Sequence, residues 1–220
     1  MSVYSDVQIL SIRVMEAYAK KNHVSGEDVY KRQADKEDFI MQKERSDELL
    51  NQDAEAYQSG TAEGFRTAVR FYLESASLGN GQAMTNLGYC YTYGRGVTKN
   101  PVEGFRYFVQ AAKLGNPEAI MKVADAYQRG QFVKKDEIRA FQFYRKLFQH
   151  LRETEELLDY PEVCLRLGRC YLEGKGTEAD PRQARRFLVL AVHGYSLHEN
   201  QYFYYPKQRR QAEELLRQCQ

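Results

Sequence analysis

The chain of 220 residues is long enough for one or two compact domains or for one elongated repeat array. Hydrophobic residues make up 43% and charged residues 28%, a composition that excludes a disordered or collagen-like chain. The net charge of +2 lies far below that of dedicated nucleic-acid-binding proteins, and the longest apolar run, residues 187–192, is too short for a membrane span of about 20 residues. We therefore expect neither a nucleic-acid partner nor membrane insertion.

Residues 1–60 are the first predicted element, an N-terminal helical segment. Apolar residues recur at helical spacing from Val7 through Leu10 and Val14 to Tyr18, and a second such stripe runs from Leu49 to Tyr57. We predict that this segment caps the first end of a repeat array, and a separate small helical domain is the alternative. Because it has no basic start, we expect no secretory signal.

The chain repeats itself over residues 61–195. The stretch Gly81–Asn116 aligns with the next 36 residues without a gap, and a third copy follows after a further shift of 44 residues. Half of an earlier unit precedes them. Four columns illustrate the repeat: Leu87, Val123 and Leu167; Tyr91, Tyr127 and Tyr171; Ala68, Gly104, Ala140 and Ala184; Phe71, Tyr107, Phe143 and Phe187.

Each unit is predicted to contain two helices. Their apolar residues recur every three or four positions, and Gly94, Gly130 and Gly174 stand where a helix ends in a left-handed residue. Asn100, Asp136 and Asp180 are then expected to cap the second helices. The small residues Gly88, Ala124 and Gly168 are expected to face large aromatic side chains. Since one helix pair cannot bury its apolar face alone, the pairs are predicted to stack into an α-solenoid.

Unit two departs from this pattern in its loop. Gln131-Phe132 replaces the second loop glycine, so we expect this loop to turn differently. Eight extra residues follow, near 146–160, and Leu147, Phe148, Leu151 and Leu158 continue the apolar helical face. The second helix of the unit is therefore predicted to run on by about 12 Å. This extension is either a ledge that shapes a partner site or a tolerated insertion at a repeat junction.

Residues 196–220 are predicted to form a C-terminal capping helix that starts at Pro206. The aromatic run Tyr202-Phe203-Tyr204-Tyr205 precedes it, and we expect this run to pack beneath the helix. An exposed run would instead be a candidate for a binding hot spot.

No arrangement of residues indicates catalysis, a metal site or a cofactor. His193 and His198 are five positions apart, whereas a metalloprotease helix needs two histidines four apart with a glutamate. The four cysteines form no Cys-x-x-Cys pair, which is typical of thiols in a reducing compartment. We therefore predict a cytoplasmic protein that is not an enzyme.

The repeated pattern resembles the Sel-like repeat (SLR), a relative of the tetratricopeptide repeat. Unit one carries the pattern at Ala83, Leu87, Gly88, Tyr91, Gly94, Gly96, Val97, Asn100, Gly104, Ala111, Ala112 and Gly115. The chain has no Trp, although a Trp or Tyr is common in the second helix of the family. The resemblance implies an all-α fold, a right-handed solenoid of stacked helix pairs with helical caps at both ends. It also implies a protein-interaction scaffold.

In related two-helix solenoids, the first helix of each unit lines a concave groove. Positions between the core columns then face the groove, and they include Glu118 and Glu162. The partner-binding candidates among them are polar, aromatic or basic: Asn86, Tyr89, Tyr93, Lys122, Asp125, Arg129, Arg166 and Arg169. Arginine grips carboxylates with two hydrogen bonds, and tyrosine supplies rigid contact area. The hypothesis is an adaptor that binds another protein or an acidic peptide in this groove. The alternative is a regulatory subunit or a self-assembling element that uses the solenoid's ends or convex face.

Overall fold

The computed structural model describes residues 26–219, which form nine α-helices and one short 3-10 helix without a β-strand. The helices are α1 (Gly26–Gln58), α2 (Ala62–Ser77), α3 (Gly81–Tyr93), α4 (Pro101–Lys113), α5 (Pro117–Arg129), α6 (Glu137–Glu153), α7 (Pro161–Glu173), α8 (Pro181–Leu197) and α9 (Tyr205–Arg217), with the 3-10 helix at Leu157–Asp159. The stripe predicted from Val7 to Tyr18 lies outside the described residues. None of the helices within them is long and apolar enough to cross a bilayer.

The helices stack in chain order. The most extensive contacts join α1 to α2, α3 to α4 and α7 to α8, and α5 pairs with α6 in the same way. Each pair then packs on the next through α2 and α3, α4 and α5, and α6 and α7. Contacts between neighbours in sequence are the defining feature of a solenoid, so the predicted all-α solenoid is confirmed.

The loops inside the three units share one backbone geometry. Gly94, Gly130 and Gly174 end the first helices with φ of 75°, 70° and 67°. The side chains of Asn100, Asp136 and Asp180 then cap the second helices, as predicted.

The expectation that the loop of unit two turns differently is wrong. Phe132 has φ of 65°, close to the 72° and 73° of Gly96 and Gly176 at the equivalent positions. The amide of Asp136 donates to the carbonyl of Tyr127 at 2.9 Å, and the same bond recurs in both other units. A left-handed phenylalanine is strained, but its ring stacks on Phe105 with centroids 5.1 Å apart. This stacking offsets the strain.

Small residues allow close approach within the helix pairs. Gly88 faces the ring of Phe108 so closely that a Cβ at this position would lie 2.6 Å from the ring. The predicted contact with an aromatic side chain is therefore confirmed at Gly88. At Gly168 the facing residue is Leu188, so the same expectation is wrong there. The tyrosine column instead stacks on the aromatic column of the second helices: Tyr91 on Tyr107, Tyr127 on Phe143 and Tyr171 on Phe187, with centroids 5.5, 5.9 and 5.5 Å apart.

The insertion after unit two lengthens α6 less than predicted. This helix has 17 residues against 13 in α4, which adds about 6 Å of helix rather than about 12 Å. Glu153 is its last residue, and the remaining inserted residues form a turn and the 3-10 helix, which contains Leu158.

Both ends of the described chain pack against the repeats. In α1, the side chain of Leu49 is fully buried and the Ser46 hydroxyl lies 2.9 Å from that of Ser75 in α2. At the other end, Ala212 of α9 is buried. Within the aromatic run, Tyr205 is the one buried residue. Because α9 already begins at Tyr205, Phe203 lies in the preceding turn and is 97% exposed. The prediction that the whole run packs beneath the last helix is therefore wrong.

Candidate functional site

A cavity of about 890 Å³ opens on the face formed by the first helices, α3, α5 and α7. The end of α1, the turn before α9 and α9 itself complete its walls. All eight residues selected from the sequence line it: Asn86, Tyr89, Tyr93, Lys122, Asp125, Arg129, Arg166 and Arg169. The repeat register thus predicted which positions share this face. That these residues bind a partner stays a prediction.

An internal ion pair occupies the centre of the cavity wall. Arg166 donates from Nε and Nη2 to the two carboxylate oxygens of Asp125, at 2.6 and 2.7 Å. The Tyr144 hydroxyl donates to the same carboxylate at 2.5 Å. Burial alone would raise the pKa of Asp125, but the hydrogen bonds and charge of Arg166 hold it below its ordinary value. Arg166 and Asp125 therefore satisfy each other, and Arg166 is not the open carboxylate clamp that the sequence suggested.

The other cations of the cavity are weakly partnered or unpartnered. Lys122 forms no ion pair within the described part of the chain, and its Nζ lies 4.9 Å above the ring of Tyr89. Burial lowers its pKa. Arg129 reaches Asp125 only at 3.9 Å and is 68% exposed, while Arg169 lies 3.9 Å from Glu173. These three side chains are available to an anionic ligand.

Two carboxylates also line the cavity, although the sequence analysis gave them no role. Glu118 accepts a hydrogen bond from the Tyr89 hydroxyl at 2.5 Å, and Glu162 accepts one from the Tyr204 hydroxyl at 3.5 Å. Burial raises the pKa of Glu162. Within residues 26–219 neither carboxylate forms an ion pair, in contrast to Asp125.

Aromatic side chains enter the cavity from both sides. Tyr89 and Tyr93 of α3 stack with their ring centroids 6.1 Å apart, and Tyr93 is 58% exposed. On the other side, Tyr202, Phe203 and Tyr204 line the cavity from the turn before α9. Sequence analysis did not place these three here because the turn lies outside the repeat register. The sequence shows the run of aromatic residues, but it does not show that the run lies at this cavity.

Metal-binding clusters and buried thiols among the described residues bear on metal and redox chemistry. Residues 26–219 contain no group of three or more His, Cys, Asp and Glu side chains that could hold a metal ion. Burial raises the pKa of the Cys164 thiol to about 12 and that of Cys170 to about 11, which disfavours the reactive thiolate form of both.

Two solved structures resemble this solenoid. The Sel1 repeat protein from Oxalobacter formigenes superposes with a TM-score of 0.54 and 24% identity, over 68% of this chain and 62% of that one. The second is c5321, a protective antigen of uropathogenic Escherichia coli with an SLR fold. It gives a TM-score of 0.50 and 17% identity, over 94% of this chain and 52% of the antigen. At these identities the likeness shows the fold alone. No curated protein sequence matches the chain.

The repeats themselves match a known family. The sequence profile described as "Sel1 repeat" matches residues 51–80, 81–116, 117–148 and 161–193, which is more than half of the chain. Its first match begins before residue 61, where the sequence analysis placed the start of the solenoid. Proteins of this family are generally protein-interaction scaffolds, and the chain belongs to the Sel1 repeat family.

Proposed function

We propose that this protein is a non-catalytic adaptor that binds an acidic peptide segment of a partner protein in the cavity. The observation that carries the proposal is the weakly partnered positive charge of Lys122, Arg129 and Arg169 on one wall. A peptide carboxylate would supply a closer partner than the fold gives these side chains. Asp125 cannot do so, because Arg166 holds both of its oxygens.

The wall that carries these cations is rigid, which favours tight recognition. Caps fix the starts of α3 and α5: the side chains of Asn80 and Asn116 accept hydrogen bonds from the first amides of each helix. The ion pair of Asp125 and Arg166 ties α5 to α7. A binding surface that is already ordered loses little conformational entropy when the ligand arrives.

Selection from a phage-displayed library of random peptides tests the proposal without knowledge of the partner. We expect the wild-type protein to enrich peptides with clustered Asp or Glu residues. The variant Arg129→Glu/Arg169→Glu should bind the enriched peptides at least about tenfold more weakly, because like charges then face each other. The matched control, Arg66→Glu/Arg106→Glu, makes the same charge change on exposed arginines of α2 and α4 outside the cavity. It should bind like the wild type.

Two results would contradict the adaptor model. One is a selection that enriches no acidic peptides on a folded wild-type protein. The other is equal affinity of the two charge-reversal variants, which would move binding away from the cavity.

Self-association through the convex face is the second candidate function. The second helices α4, α6 and α8 each expose an aliphatic side chain: Val102, Ile138 and Val189. Light scattering at increasing protein concentration tests this alternative. A mass that stays monomeric would exclude it, and a mass that rises but returns to the monomer in Val102→Glu/Ile138→Glu would support it.

A further inference from the structure

The cavity has two chemically different ends. Glu118 and Glu162 lie in the first turns of α5 and α7, whereas Arg129 lies in the last turn of α5 and Arg169 lies just before the last turn of α7. Glu118 and Arg129 are eleven residues apart, which corresponds to about 16 Å along the helix. An acidic peptide would satisfy only the second end.

Tyrosine rings surround the acidic end. Tyr202 and Tyr204 stack with centroids 5.5 Å apart, and the hydroxyl of Tyr204 points to Glu162. Burial raises the pKa of both tyrosines, and the charges of Glu118 and Glu162 raise it further. Both carboxylates therefore lie close enough to Tyr202 and Tyr204 for their charges to influence the two hydroxyls. From α3, the Tyr89 hydroxyl donates a hydrogen bond to Glu118.

A carboxylate and a nearby aromatic ring attract a cation through two separate effects. The face of an aromatic ring carries partial negative charge, and a carboxylate adds a full charge and hydrogen-bond acceptors. The cavity already uses the first effect, because Lys122 lies above Tyr89 and Arg95 lies above Tyr93 with its Cζ 5.4 Å from the ring centroid. Among the described residues neither Glu118 nor Glu162 forms a direct ion pair, although the charge of Lys122 acts on Glu118 and that of Arg166 on Glu162. Each carboxylate therefore lacks a hydrogen-bonded cation.

We infer that Glu118, Glu162, Tyr89, Tyr202 and Tyr204 form a second subsite that takes a cationic side chain, Arg or Lys, of the bound peptide. This inference deepens the proposed function, since it names the other charged group of the same ligand. An extended peptide rises about 3.3 Å per residue, so five residues span the distance between the two ends. The preferred ligand therefore carries its cation about five residues from its acidic group.

A pair of matched small probes tests the subsite directly. Nα-acetyl-arginine methylamide presents a guanidinium, and the citrulline analogue has nearly the same shape without the charge. Neither contains a carboxylate, so the test does not depend on the acidic end or on the adaptor model. Binding is followed by NMR of tyrosine-labelled protein, with Tyr89, Tyr202 and Tyr204 assigned through Tyr→Phe variants.

The arginine probe should shift these three ring signals in a saturable way, and the citrulline probe should not. We expect the variant Glu118→Gln/Glu162→Gln to bind the arginine probe at least about tenfold more weakly. The control Glu103→Gln/Glu137→Gln changes first-turn glutamates of α4 and α6 outside the cavity and should bind normally. Arg129→Glu/Arg169→Glu should also keep the subsite, even though it loses acidic peptides.

Equal shifts from the two probes would overturn the subsite, as would unchanged binding by a folded Glu118→Gln/Glu162→Gln variant. If that variant loses its helical circular dichroism, Tyr204→Leu supplies the same test, since it removes one ring and keeps both carboxylates. Failure of the phage selection together with saturable arginine binding would reject the acidic ligand and keep the cationic subsite.

Discussion

Arg166 and Asp125 are 41 residues apart in sequence and join α5 to α7 through two short hydrogen bonds. Both side chains are largely withdrawn from solvent, at 24% and 13% exposure. A charge in such a place is costly unless it is paired, and the Tyr144 hydroxyl helps to complete the coordination of the carboxylate. The pair is therefore part of the structure of the cavity wall, whereas Lys122 beside it forms no ion pair with another described residue and contacts the ring of Tyr89.

We predict that Asp125→Asn destabilises the protein by about 2–4 kcal/mol. The substitution leaves the Arg166 guanidinium partly buried without a counter-charge, and breaking a buried pair from one side is strongly destabilising. Urea unfolding followed by circular dichroism measures the change. Glu63→Gln is the control, because Glu63 and its partner Arg66 are both exposed. Loss of this surface ion pair should cost less than about 1 kcal/mol. Similar values for the two variants would contradict a structural role for Asp125.

The same carboxylate predicts part of the acid sensitivity of the protein. The pKa of Asp125 is lowered in the folded state, so its contribution to stability is complete above the unfolded value of about 3.9. The contribution is lost as the pH falls through the lower folded value. The stability difference between wild type and Asp125→Asn should therefore be large at pH 7 and shrink toward pH 2. Urea unfolding at several pH values checks this, and a difference that stays constant would exclude the mechanism.

Within each repeat, the spacing between the paired helices depends on single small residues. Gly104 of α4 faces α3 so closely that a Cβ there would lie 2.6 Å from the carbonyl oxygen of Gly88 and 2.5 Å from the Thr92 hydroxyl. The same column holds Ala68, Ala140 and Ala184 in the other units. The α3–α4 pair therefore requires a smaller residue than its counterparts.

We predict that Gly104→Ala destabilises the protein by about 1–2 kcal/mol, although alanine is the residue of the other units. Overpacking costs about 1–3 kcal/mol, and the better helix propensity of alanine returns at most about 1 kcal/mol. Thermal and urea unfolding measure the balance. Gly81→Ala is the control, because its Cβ would meet no atom closer than 3.6 Å and the change should be neutral or stabilising. A stabilised Gly104→Ala variant would show that the helices adjust freely.

The sequence predicted the features that depend on the repeat period. The helix pairs, their caps at Asn100, Asp136 and Asp180, and the residues that share the cavity face all follow from register alone. Register also aligns the tyrosine column, whose rings stack on the aromatic residues of the second helices.

The features that the sequence did not predict depend on distances between units. Arg166 and Asp125 were both placed on the cavity face, but only the spacing of α5 and α7 shows that they bind each other. Phe132 takes the loop geometry of a glycine because Phe105 of α4 offers it a stacking partner. The position of Phe203 depends on where α9 begins, and no repeat column fixes that residue.

At the scale of the whole molecule, the cavity joins parts that are distant in the chain. Tyr57 at the end of α1 lines it at one side, and Tyr204 before α9 lines it at the other. A solenoid has no contacts that bridge its ends directly, so the shape of the cavity depends on every interface between them. Loss of an end helix is therefore expected to disturb binding as well as stability.

The cap hypothesis for residues 1–60 makes a prediction at this scale. Leu49 is fully buried, and Val69 and Tyr72 of α2 lie in the same apolar cluster as Leu50 and Tyr57. Deletion of residues 1–60 would uncover that face of α2 at a cost of about 3 kcal/mol, since one buried leucine is worth about 1.5–3 kcal/mol and the contacts of Leu50 and Tyr57 are lost with it. The melting temperature should fall by about 6–12 °C.

Calorimetry of the full chain, of the deletion variant and of Leu49→Ala distinguishes a cap from a separate domain. If the segment is a cap, both variants lower the one transition of the solenoid, and Leu49→Ala costs about 2–5 kcal/mol. Met41→Ala is the control, because that side chain is exposed and its loss should change little. If the segment is a separate domain, the deletion leaves the main transition unchanged and removes a second one. The cap hypothesis further requires that the deletion weakens peptide binding, because it removes Tyr57 from the cavity wall.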